Sequence, residues 1–219
     1  MSKKSSVSAR DLCVVFAVAA LGAAPAAWSD DPITVLVWLS IWALPAGFLC
    51  GALGLRLWPA GLAVPGIWMG AVTLVDAASD VDLPRPIWAV CVFSGFFAAG
   101  FGCGAWAGPR RLWGGCASLL LLAAIATGLP HKGGLSDDTW SPEVAARLLD
   151  LSPSALVVES AGVDWMRHPA VYDPVGTSSI GPDLRTAWRG FLAGPTVLLV
   201  GCALVLLGRR KNRGEPQPS

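Results

Sequence analysis

"LPAGFLCGALGLRLWPAGLAVPGIWMG", residues 44–70, carries one charge, Arg56, in 27 residues. A helix needs about 20 apolar residues to cross the hydrocarbon core of a bilayer. The stretch therefore reads as the end of one membrane span and most of the next, divided by a lone arginine. Working outward, apolar runs of similar length cover 33–55, 58–75, 87–107, 112–129 and 191–208, and a shorter one covers 12–28.

The bulk numbers agree with this reading. Of 219 residues, 54% are hydrophobic and 14% charged, and the mean hydropathy is +0.58. Soluble domains carry about 25% charged residues. The net charge of +1 says little as a total. Nucleic-acid binding needs a clustered basic surface. The one basic cluster, Arg209, Arg210, Lys211 and Arg213, directly follows an apolar run and reads as a membrane anchor near anionic lipid. Cys13, Cys50, Cys91, Cys103, Cys116 and Cys202 all sit singly inside apolar runs, without a CxxC pair. They read as small hydrophobes rather than as a disulfide framework or a zinc site.

The connections between runs alternate in sign. Lys3, Lys4 and Arg10 precede the first run, Arg56 separates the second from the third, Arg110 and Arg111 separate the fourth from the fifth, and the basic tail follows the sixth. The other short connections hold Asp30 and Asp31, then Asp76, Asp80 and Asp82 against Arg85 alone. Under the positive-inside rule, both termini lie in the cytoplasm and 130–189 lies outside. The plasma membrane is the expected location. Trp28, Trp58, Trp88, Trp106, Trp113 and Trp188 fall at run ends, where amphipathic rings settle. Trp38, Trp42 and Trp68 do not, and read as packing or lipid-facing residues.

The first run has a rival reading. "KKSSVSAR", "LCVVFAVAALGAA" and "APAAWS" have the three-part form of a signal peptide with a small-residue cleavage site. Asp11 is atypical there, and an uncleaved helix is preferred.

Gly47 and Gly51, Gly66 and Gly70, Gly100 and Gly104, and Gly190 and Gly194 share the GxxxG spacing, which lets two helix backbones approach closely. Tight packing is expected, with a protein partner or a second copy meeting the Gly-rich faces and the lipid bilayer around them. Pro45, Pro65 and Pro195 lie inside runs, where each removes a backbone hydrogen bond. Intramembrane ionisable groups mark proton and ion paths. The spans hold almost none, which argues against a proton-coupled pump.

Segment 130–189 is the polar exception. Ser141, Pro142 and Glu143 form a helix start, repeated by Ser152 and Pro153, and Gly162 offers a stop. Two short amphipathic helices are expected, lying on the outer membrane surface or capping the bundle. Residues 157–175, "VESAGVDWMRHPAVYDPVG", crowd acids, bases, His, Trp and Tyr. The candidate contact residues are His131, Asp164, Trp165, Arg167, His168, Tyr172 and Asp173. Asp164 and His168 have a spacing at which a helix could share a metal, but Pro169 discourages helix there. No HExxH pattern is present. The expectation is a polar cap in which Asp164, Arg167 and Asp173 satisfy one another, with no metal, cofactor or catalytic residue assigned.

The fold class expected is an all-α integral membrane protein. It is a six-span helical bundle with a short extracytoplasmic helical cap between spans five and six. Residues 1–129 form the transmembrane bundle, 130–189 the outer segment, 190–208 the sixth span and 209–219 the basic cytoplasmic tail. This arrangement is similar in topology to ABC-2-type exporter permeases, a likeness of layout that extends to no motif. Such permeases present cytoplasmic surface to an ATPase, whereas the inner connections here are a few residues around Arg56 and Arg110. The function expected is a membrane subunit without catalytic machinery of its own, a transport component or an assembly partner. The chain has no nucleotide-binding loop, so energy for transport would come from another protein. The alternatives are a membrane enzyme using 157–175 and an accessory subunit of a redox complex.

Overall fold

A computed structural model describes residues 8–79, 83–128, 141–163, 182–186 and 192–214, and every helix or strand element among them is helical. The long helices are α1 (Ala9–Ala23), α2 (Pro32–Ala52), α3 (Leu57–Ala78), α4 (Pro86–Ala107), α5 (Leu112–Gly128) and α8 (Ala193–Gly214); α6 (Pro142–Leu151) and α7 (Pro153–Ser160) are short. Five segments are long and apolar enough to cross a membrane: Ala9–Ala27, Pro32–Ala52, Ala60–Ala78, Pro86–Ala107 and Pro109–Gly128. The first run thus gains length from the 3-10 turn Ala24–Ala27. The apolar part of α8, Ala193–Gly208, is the shorter one.

Helix ends follow from local chemistry. Ser8 Oγ accepts from Asp11 N at 3.1 Å, and Asp11 places its carboxylate in the first turn, where the helix dipole favours it. Asp31 accepts from Ile33 N at 2.9 Å and Thr34 N at 3.2 Å, ahead of Pro32. In the opening stretch, Gly54 takes φ +70° after α2, and Leu55 N donates to Cys50 O at 3.0 Å. That left-handed turn reverses the chain within four residues and buries Leu55.

Close approaches set the helix directions. A Cβ on Gly47 would strike the Phe97 carbonyl, and one on Gly51 that of Phe101; reciprocally, Gly100 faces Leu44 O and Gly104 faces Phe48 O. The numbering rises together, so α2 and α4 run parallel. α8 lies parallel to α4 as well: Gly194 meets Trp88, Gly201 meets Gly95 and Ala98, and Gly208 meets Gly102. The glycines of this second contact recur every seven residues, the spacing of a seam between two supercoiled helices. α5 runs antiparallel to α2, with Gly115 on the Phe48 ring and Ser40 level with Ala123 and Ala126.

The mid-run tryptophans share one job. Trp38 Nε1 donates to Leu21 O at 3.0 Å, Trp42 Nε1 to Val18 O at 3.2 Å and Trp68 Nε1 to Ala19 O at 3.0 Å. Pro25, four residues after Leu21, has no N–H, so the Leu21 carbonyl lacks its helical partner and Trp38 supplies one. Trp68 also packs edge-on against Phe93 and Phe97, each at 5.9 Å between ring centres. α1 is thereby tied to α2 and α3 through its last turns.

Two expectations need correction. Pro195 sits in the first turn of α8, where its missing N–H breaks no helical bond. Gly66 and Gly70 on α3 have nothing within 4 Å of a built Cβ, so among the described residues no neighbouring helix packs closely on this pair. Gly190 lies outside the described residues.

Candidate functional site

The expected contact residues His131, Asp164, Trp165, Arg167, His168, Tyr172 and Asp173 all lie outside the described residues. Of the quoted island, 157–163 is described; 157–161 is buried and the chain returns to the surface at Gly162. Val157 and Val158 are fully buried in one cluster with Leu36, Leu39, Val92 and Phe93. α7 is therefore sunk among α2 and α4 instead of lying amphipathically across them. Within "SALVVES", residues 154–160, Ser154, Glu159 and Ser160 are buried along with Ala155, Val157 and Val158, so the depth of α7 is set by the space between its neighbours and not by an apolar sequence. α6 does keep an amphipathic form, burying Ala146 and Leu149 and exposing Glu143 and Arg147.

Both short helices start as their residue types dictate. Ser141 Oγ accepts from Val144 N at 3.4 Å, and Ser152 Oγ accepts from Ala155 N at 3.5 Å. Gly162 takes φ +92° and stops α7, with Val163 N donating to Val158 O at 3.3 Å. Ala161 O then accepts from Arg85 N at 2.8 Å, which fastens the end of α7 to the start of α4. The cap thus sits at the end of the bundle where α2 and α4 begin and α5 finishes.

The cap is held by charges that spacing alone does not pair. Arg185 Nε lies 3.0 Å from Asp150 Oδ1, and Arg185 Nη2 lies 2.7 Å from Glu159 Oε2. The Arg185 side chain is fully shielded, Glu159 is 5% exposed and Asp150 is 19% exposed. Asp150 Oδ2 also accepts from Thr186 N at 2.9 Å. One guanidinium therefore joins α6, α7 and the chain segment around Pro182–Leu184. A permanently charged fork suits two carboxylates in a buried place, because each carboxylate needs a partner once water is removed. Sequence reasoning assigned pairing to Asp164, Arg167 and Asp173 and missed this set. The available signal was Glu159 itself, an acid closing an apolar helix.

Beside the clamp lies a cavity of about 330 Å³. Ser40 and Leu44 of α2 and Phe96 of α4 form its back; Leu122, Ala123 and Ala126 of α5 form one side. Leu148, Leu151 and Pro153 of the cap roof it. Among the described residues, no group of three or more His, Cys, Asp or Glu is placed to hold a metal ion. Set against family models, curated proteins and solved structures, the chain finds no match.

Proposed function

We propose that the chain is a multi-pass membrane subunit without catalytic machinery of its own, working through a protein partner in transport or in assembly of a membrane complex. The observation that carries this reading is the backbone-to-backbone packing of α2, α4 and α8. Glycines at 47, 51, 95, 100, 102 and 104 press onto neighbouring carbonyls and amides, leaving no room for a solute path between those three helices. Among the described residues, the buried charges Glu159 and Arg185 belong to the cap.

Six crossings with both termini in the cytoplasm fit the helix directions. α2, α4 and α8 run one way and α5 the other, with Arg110 and Arg111 at the end opposite the cap. Segment 130–189 is then extracytoplasmic. The ties from Trp38, Trp42 and Trp68 to α1 favour an uncleaved first helix. The partner face we assign is α3, where Gly66 and Gly70 are open and Leu62 and Leu74 are exposed beside them.

Purification from mild detergent, with identification of companions, tests this. A companion retained by the native chain and lost by Gly70→Leu at unchanged melting temperature is the expected result. An ATPase companion points to transport, and one with redox centres points to an accessory subunit. A chain that purifies alone as a monomer overturns the proposal.

A further inference from the structure

We infer that the cavity under α6 is a binding site for one acyl chain of a membrane lipid. The inference rests on the membrane placement proposed above and goes beyond it, to a ligand and a place.

The lining excludes polar occupants. Among the described lining residues Ser40 alone carries a side-chain hydroxyl, and its Oγ donates to Val37 O at 2.6 Å, so the proton is already used within α2. Water in a buried site needs two to four polar partners. Here a volume equal to about ten waters offers aliphatic and aromatic carbon. Ligand pockets begin at about 300 Å³, so the space is large enough for a hydrocarbon segment. If left vacant, its lining would forfeit the dispersion contacts that packing normally supplies.

The mouth says which hydrocarbon. Leu122 and Leu151 both line the cavity, yet they are 59% and 72% exposed, so the opening lies between α5 and α6. It is continuous with the outer side of α5, where Leu121 and Ile125 are also exposed. α5 is one of the segments apolar enough to cross a membrane, and that side has lipid as its neighbour. α6, with Val144 and Leu151 exposed beside Glu143 and Arg147, has the make-up of an interfacial helix. A lipid whose headgroup sits at α6 would send a chain down past Leu148 towards Ser40. Ala123 and Ala126 keep the α5 wall low enough to admit it.

The test uses the full chain in phosphatidylglycerol vesicles doped with phosphatidylcholine that carries a diazirine midway along one acyl chain. After irradiation, adducts are mapped by mass spectrometry. Expected are adducts at Ser40, Leu44 or Phe96, inside the cavity, as well as at Leu121 on the outer face. Ala126→Phe fills the space and should remove the inner adducts while keeping those at Leu121. Ala124→Phe, exposed on the same helix, should change neither. Leu148→Phe narrows the roof from another element and serves if Ala126→Phe melts early.

Adducts at Leu121 alone in the native chain would overturn the site and leave the membrane placement standing. Adducts nowhere would overturn both. Inner adducts that persist in both filling variants would also defeat the assignment. So would inner adducts that appear only after a companion protein is stripped away, which would give the cavity to that companion.

Discussion

Arg185 Nη2 and Glu159 Oε2 lie 2.7 Å apart with both side chains almost sealed from solvent, and they join segments 26 residues apart in the chain. Removing one member of a buried pair leaves the other charge uncompensated, at a cost of roughly 3–5 kcal/mol. Arg185→Met should therefore lower stability by about that much, read as a denaturation shift in detergent. The double change Arg185→Met, Glu159→Met should cost less than the two single changes added together. Asp150→Asn should cost about 1 kcal/mol, because Asp150 is the more exposed acid. Strict additivity of the single changes would show that the pair is not coupled.

The glycine contacts separate positions that look alike in sequence. At Gly100 a side chain would meet the backbone of Leu44 and Phe48, which no rotamer change relieves. Gly100→Leu should destabilise the chain by at least the 1–3 kcal/mol typical of overpacking, and Gly104→Leu likewise. Gly66→Leu should leave melting unchanged, because nothing stands within reach. Gly133→Ala, in segment 130–189, should also be tolerated. Equal melting temperatures for Gly100→Leu and Gly66→Leu would contradict the packing described here.

What was readable from the sequence was mostly what is local. Apolar length placed α2 within three residues of its observed ends, and Ser141, Ser152 and Gly162 marked helix ends that depend only on neighbours a few residues away. Long-range choices were not readable. Nothing in spacing tells Glu159 to take Arg185 over a nearer arginine. The depth of α7 follows from what α2 and α4 leave open. The α4–α8 seam was accessible in principle, since Gly194, Gly201 and Gly208 recur at sevens as do Gly95 and Gly102. A search confined to spacings of four passes over it. The candidate contact residues His131, Asp164, Trp165, Arg167, His168, Tyr172 and Asp173 lie outside the described residues.

The tie between Trp68 and α1 can be weighed by itself. Trp68→Phe keeps a ring beside Phe93 and Phe97 but removes the donor to Ala19 O. A net hydrogen bond contributes about 1 kcal/mol, and the smaller ring leaves some space, so a loss of roughly 1–3 kcal/mol is expected. Cleavage after Ala27 would remove all three acceptors, Val18, Ala19 and Leu21, at once. Protein isolated from cells should accordingly contain peptides from α1. Their absence from a purified, folded chain would count against the uncleaved helix.

On the topology proposed from charge alternation, the end where α2 and α4 begin should lie outside the cytoplasm. Arg56 and Arg110 lie at the opposite end, where positive side chains are retained on the cytoplasmic face. Single cysteines at Ser136 and at Ser219, in a chain whose six native cysteines are replaced by alanine, report each end separately. Cys50 is fully buried and tolerates alanine least, so the background is first checked for native melting. An impermeant maleimide on intact cells should label Ser136→Cys and spare Ser219→Cys until the membrane is opened. Labelling in the reverse order would invert the bundle and place the cap in the cytoplasm. The cavity and its mouth would keep their positions within the protein, but the lipid reaching them would come from the inner leaflet.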